Sequence, residues 1–451
     1  MSKIAHELPD DTSKPQDEPL GTSPFVSRSG PSSEIGLAGQ PTHSIAAPSA
    51  PLACRNPVNS YRALAGLLFG YELLIVGNGF FQTLIPLRII ESGYPTLAVG
   101  LIQSCYYCGY ILGAVINRRL IDRIGQHRTF VAFSAAASIL ALAFGTAQSP
   151  WVLGFVRLLT GFTFMGLYIS IESWLNGTVG NERRGQVFGT YAAINYLAVG
   201  TGQFLFNVGT DSRVQQFSIV AALFASAVLP VTLFEGWPAK VADENLEPVP
   251  ARTWRASMRE MMATTPLAVP GCILAGFLYS SFYSMMPVYL QRTGFSTTEL
   301  ATFMGLALIG ALVPQWPIGR ISDKVDRRRL VYYTSSISGG LSLALFCVNV
   351  RAVTWCATLV YVAVTFTLYG LIVSHVHDRT RAHLRIAISA TLLVLFSFGG
   401  MTGPALASML MTIFGASGIF LFNALSSLLL AFCARRTLGL TARSLEGQAH
   451  P

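Results

Sequence analysis

Of the 451 residues, 52% are hydrophobic and only 12% charged, and mean hydropathy is +0.50, which leaves too little charge to coat a water-soluble globule of this length. The net charge of +9 requires no nucleic-acid partner, because most Lys and Arg fall in short loops between apolar runs, where they face lipid headgroups. Seven scattered cysteines offer no disulfide framework, and Walker loops, nucleophile elbows and zinc signatures are missing, so neither an enzyme nor a cofactor or metal is expected.

Residues 1–60 are rich in Ser, Pro and Gly with few large apolar side chains, and read as a disordered tail. The tail lacks the compact segments of a signal peptide, so the first membrane helix would serve as the targeting signal. Apolar runs then follow near 62–86, 96–117, 129–148, 151–174, 186–208 and 217–236. A second set lies near 267–290, 299–318, 330–350, 354–374, 386–409 and 417–434. Each is long enough to cross about 30 Å of hydrocarbon as a helix. The runs are continuous rather than alternating, which excludes barrel strands. The expected fold is an all-α membrane protein with twelve transmembrane helices in two pseudo-symmetric six-helix bundles, at 61–236 and 267–435. Between them, 237–266 forms a linker with a short amphipathic stretch near Trp254, and 436–451 forms a tail.

The halves are copies offset by 201 positions: Pro86 matches Pro287, Gly93 matches Gly294, Asp122 matches Asp323, Arg128 matches Arg329, Tyr168 matches Tyr369 and Gly202 matches Gly403. Lys and Arg number eighteen in the tail-side loops and four in the alternate ones, which places both termini in the cytoplasm of a bacterial inner membrane.

Ionisable residues inside apolar segments are costly and therefore candidates for function: Glu72 on segment 1, and Arg157 and Glu172 on segment 4. Glu72 and Arg157 count to similar depths, so they pair either as coupling groups or as a structural tie. Their repeat partners, Ile273 and Thr358, carry no charge, which confines ion chemistry to the first half. Asn78 and Gln82 share one face of segment 1, and their partners Tyr279 and Tyr283 share one face of segment 7. Facing each other, and joined by Tyr361, Thr365 and Tyr369, they would offer hydrogen bonds and rings to an amphipathic solute. Small residues four apart, at Ala198 and Gly202 and at Gly399 and Gly403, permit close helix approach.

Two loops carry charge at matching places: Arg118, Asp122, Arg123, Gly125 and Arg128, then Gly319, Arg320, Asp323, Lys324, Asp326 and Arg328. Both resemble the loop motif of the major facilitator superfamily, the first departing at Arg118 and the second at Asp326, where Gly is usual. The segments Gln315-Trp316-Pro317, Glu172-Ser173-Trp174 and Gly202-Gln203 resemble the YcaD-type branch of that superfamily. The resemblance implies alternating access about a cavity lined by helices 1, 4, 7 and 10. It also implies a gating role for Asp122, Arg123, Arg128, Asp323, Lys324 and Arg328. Arg157 and Gly161 resemble a helix 4 motif tied to proton-coupled export. The function expected is therefore secondary transport of a small solute by a monomer, coupled to a proton and directed outward. The alternatives are import of a metabolite whose carboxylate meets Arg157, or a sensor or assembly factor that keeps the fold.

Overall fold

The computed structural model describes residues 57–178, 184–207, 212–233, 258–259, 261–348, 350–380 and 385–446; residues 1–56 and most of the expected linker lie outside this set. Among the described residues every regular element is helical. The first half comprises α1 (Pro57–Glu91), α2 (Thr96–Ile124), α3 (Gln126–Thr146), α4 (Pro150–Thr178), α5 (Arg184–Gln203) and α6 (Arg213–Leu233). The second comprises α7 (Ala268–Arg292), α8 (Thr297–Ser322), α9 (Arg327–Cys347), α10 (Arg351–Asp378), α11 (Arg385–Phe414) and α12 (Gly418–Glu446). Eleven of these contain stretches long and apolar enough to cross a membrane, and α5, which carries Gln186, Asn195 and Gln203, is the more polar twelfth. The protein is thus a multi-pass membrane protein. Two boundaries differ from expectation: α1 begins at Pro57, inside the expected tail, and α12 continues past residue 435 to Glu446.

The duplication is visible atom by atom. Gly93 and Gly294 take φ of 82° and 80°, conformations that only glycine adopts without strain, and each ends its helix with the same bonds. Gly93 N–H donates to Ile90 and Gly294 N–H to Gln291, while Tyr94 N–H donates to Ile89 and Phe295 N–H to Leu290. Gly202 on α5 lies against the Val76 carbonyl of α1, and Gly403 on α11 lies against Phe277 of α7. The residues contacted, like the glycines, are 201 apart.

Within the first half α2 packs on α4 and α1 on α5; within the second α7 packs on α11 and α9 on α12. The halves meet through α2 and α11, α5 and α8, and α1 and α7. Glycines set this contact: Gly100 faces Pro404 and Ser408, Gly400 faces the Tyr107 ring, and Gly200 and Gly305 each face the other's carbonyl oxygen. These positions lie at mid-depth or toward the arginine-poor end, where the loops of Gly93 and Gly294 are. At the arginine-rich end Asp122, Arg123, Arg128, Asp323 and Lys324 are all exposed. The ion pairs found there among the described residues, Arg327 with Asp323 (3.1 Å) and Asp378 (2.7 Å), and Arg328 with Asp326 (2.7 Å), stay inside the second half. Pairing of the two motif loops across the halves is therefore absent from this conformation among the described residues.

The helix-capping carboxylate is Asp326, the position where the motif departs from Gly, and not Asp323. Asp326 accepts from the Arg328 amide at 2.9 Å and starts α9, while the buried Arg328 guanidinium also donates to the Thr437 carbonyl of α12 at 3.1 Å. Arg328 is thus a clasp between the α8–α9 turn and α12. Its side-chain hydrogen bonds hold the Asp326 carboxyl below the ordinary aspartate range, aided by the amide bond. Asp326→Ala should lower stability by about 2 kcal/mol at neutral pH, through loss of the cap and of the charged partner. Because the folded-state pKa is depressed, the contribution is complete at neutral pH and fades as pH falls below about 4. Thermal unfolding of both proteins at pH 7 and in acid checks this; a gap that does not narrow in acid removes the ionic part.

Candidate functional site

Helix α4 carries one arginine and one glutamate, fifteen residues apart, or about 22 Å along the axis, and the structure separates them into two sites. Arg157 is 2% exposed and sits inside the first half. Its Nε donates to Gln103 Oε1 of α2 at 2.8 Å, and its Nη2 donates to Gln82 Oε1 of α1. Gln82 in turn donates to Asn78 Oδ1 at 3.4 Å. The guanidinium lies over the Tyr106 ring, 4.3 Å from its centroid. Asn78, Gln82 and Arg157 are thus brought together, with Gln103 and Tyr106 completing a neutral cage that holds one positive charge.

Glu72 stands apart. It is exposed, on a stripe with Ala65 and Phe69, and forms no ion pair with Arg157. Hydrogen bonding places Arg157 level with Gln82, about 15 Å further along α1 than Glu72, so the similar depths counted from helix ends do not hold.

Glu172 is exposed. It lies within electrostatic range of Tyr71, Tyr110 and Tyr191, and of Tyr369 on α10. Tyr168, one turn before it on α4, joins these rings. Tyr71 stacks on Tyr191 at 4.7 Å and meets Tyr168 edge-on at 6.4 Å, while Tyr110 meets Tyr168 at 6.2 Å. Asn195 fixes the Tyr71 hydroxyl at 2.5 Å. Exposed, and within electrostatic range of tyrosines on both halves, the carboxylate faces the space between them. The next residue, Ser173, accepts from Gln126 at 2.7 Å, which ties this stretch of α4 to the motif turn at Gly125.

At mid-depth the halves are joined by a polar knot. The Tyr196 hydroxyl of α5 bonds the Tyr279 hydroxyl of α7 at 2.5 Å, and Gln315 reaches both Tyr196 (3.4 Å) and the Phe366 carbonyl (3.2 Å). That carbonyl lies at the break in α10, and Gln315 at the break in α8 before Pro317, so one amide joins two interrupted helices. Tyr279 stacks on Phe366 at 3.9 Å and lies 6.3 Å from Tyr283. Tyr279 therefore meets Tyr196 rather than the amides of α1. Tyr361 also departs from expectation: it is fully buried in the core of the second half, not beside the cavity. The break at Phe366 interrupts the helical register between Tyr361 and Tyr369, and of the two only Tyr369 lies within electrostatic range of Glu172. No spacing along the chain singles out Gln103, Tyr106, Tyr110, Tyr191 or Tyr196, whose roles depend on which helices pack together.

A family model described as Major Facilitator Superfamily matches residues 67–394. The chain is 25% identical over 375 residues to the MFS-type transporter YcaD of Salmonella typhi, covering 83% of this chain and 96% of that protein, and equally similar to YcaD of Salmonella typhimurium. Among solved structures, the nucleoside transporter NupG superposes with a TM-score of 0.72 at 14% identity, over 83% of this chain and 99% of that one. A bacterial homologue of the human lysosomal transporter Spinster, inward-facing and unoccupied, gives 0.71 at 16% identity, over 85% and 96%. At these identities the structural likenesses concern the fold alone. The family match spans most of the chain and agrees with the duplicated twelve-helix architecture: the protein belongs to the Major Facilitator Superfamily.

Proposed function

We propose that the protein is a monomeric secondary transporter that moves a small amphipathic solute by alternating access, outward across a bacterial inner membrane with both termini in the cytoplasm. The observation that supports this best is the asymmetry of contact between the halves. Glycine-mediated packing joins them at mid-depth and toward the arginine-poor end, while Glu172 and the motif residues are exposed toward the arginine-rich end. Such an arrangement suits one half rocking on the other about a midplane site. Glu172 is the group we assign to the coupling proton, surrounded by the phenols of Tyr71, Tyr110, Tyr168, Tyr191 and Tyr369; Glu72, exposed on α1, is its alternative. In this reading Asp122, Arg123, Arg128, Asp323 and Lys324 close the arginine-rich end in the opposite state, while Arg328 holds the turn that carries them.

Spin labels test the motion without knowledge of the solute. In a variant stripped of its seven cysteines, one pair is placed at Arg119 and Val325 and another at Leu97 and Met409, all exposed positions. The two distances should change in opposite directions as pH and an imposed pH gradient are varied in proteoliposomes. Asp323→Asn should deplete the short distance at the arginine-rich end without altering membrane insertion. Two fixed, single-valued distances under every condition would exclude alternating access.

A further inference from the structure

Glu172 is accessible, and among the described residues it makes no hydrogen bond or ion pair. An accessible carboxylate without a partner of its own is open to a positive charge brought by a solute. Arg157, about 22 Å away on the same helix, is enclosed by its amides and does not compensate it.

The rings around Glu172 have the quadrupole that attracts cations to their faces. Tyr71, Tyr168 and Tyr191 form one continuous aromatic wall, and Tyr369, packed 4.6 Å from Phe396, stands on the opposite half. The Tyr168 and Tyr369 pair repeats across the duplication, but the position matching Glu172 is Val373, so negative charge is present on one side only. A single carboxylate with a wall of rings supplies too few oxygen ligands for a bare metal cation. It suits instead a diffuse positive charge carried on apolar or aromatic groups.

We infer that Glu172 and the tyrosines around it, on α1, α2, α4, α5 and α10, form a binding site for a bulky organic monocation that enters between the two halves. This deepens the transport reading above and rests on it for the direction of movement, but binding itself can be measured separately.

The full chain, purified in detergent, is titrated with tetraphenylphosphonium and with the neutral triphenylphosphine oxide by calorimetry. The cation should bind and the neutral probe should not compete with it. Glu172→Gln, which preserves shape, should weaken the cation at least tenfold, or about 1.4 kcal/mol. Tyr369→Leu should weaken it too, whereas Tyr369→Phe, which keeps the ring face, should not. Size-exclusion elution identical to the parent confirms that each variant is folded. Equal affinity in Glu172→Gln, equal binding of the neutral probe, or no binding by a monodisperse parent overturns the inference. Reciprocal spin-label distances without cation binding would discard this site and keep the transporter; cation binding with fixed distances would do the reverse.

Discussion

Gly161→Leu is expected to abolish recovery of folded protein, and Gly161→Ala to lower its stability by about 2 to 3 kcal/mol, the upper range for overpacking. The reason is the α2–α4 seam. Gly161 sits directly against the Tyr106 carbonyl oxygen, and Gly109 reciprocates against the Leu158 carbonyl oxygen. In each case the atom that a new methyl group would strike is helix backbone, which cannot rotate aside as a side chain can. The helices would have to separate, and Arg157 lies one turn from Gly161. Separation would pull its guanidinium from Gln103 and from the Tyr106 ring together. Gly154→Ala is the control on the same seam, because a methyl group there meets only the Cys105 sulfur, at 3.6 Å. Thermal unfolding monitored by size exclusion separates the two; equal stability of the alanine variants would mean that the seam yields more easily than its geometry indicates.

Much of the architecture is legible in the sequence because lipid imposes strong rules. Each span must satisfy its own backbone, so apolar length reports the helices, and the 201-residue offset reports the repeat. Residues that act through backbone conformation are equally legible: Gly93 and Gly294 adopt matching positive φ, and Gly202 and Gly403 matching close approaches. Site geometry is less so. Depth counted from helix ends pairs Glu72 with Arg157, yet α1 begins at Pro57 and the partner reached is Gln82. Helical periodicity carries Tyr361 to the face of Tyr369, but the break at Phe366 changes the register. Gln103 and Tyr196 answer to groups on other helices, and nothing in their own neighbourhood announces it. The three segments that resemble the YcaD-type branch gain physical content in the same way. Gln315 joins two broken helices, Ser173 anchors the motif turn beside Glu172, and Gln203 donates to the Gly79 carbonyl at 2.8 Å.

Arg157 provides the second large effect, one in which a single substitution should do more harm than a pair. Among the described residues the buried guanidinium has no carboxylate partner, and its Nη1 has no hydrogen-bond acceptor. Gln103→Leu removes the Nε acceptor while leaving the charge in place, with only Gln82 and the Tyr106 ring face to solvate it. Hydrogen bonds to charged groups are worth about 1.5 to 3 kcal/mol, so a loss near the top of that range is expected. Arg157→Met in the same chain removes the charge whose solvation was lost and fills the volume with an unbranched apolar side chain. The double variant should therefore recover part of the stability lost by Gln103→Leu alone, as replacement of buried charges by apolar groups does elsewhere. A double-mutant cycle of unfolding temperatures measures the coupling directly. If the two losses simply add, the Gln103 bond contributes little to holding the charge, and the Tyr106 face with Gln82 must suffice. If the double variant is the more stable, the buried cation is retained at a cost to stability, and its place at the junction of α1, α2 and α4 serves something other than folding.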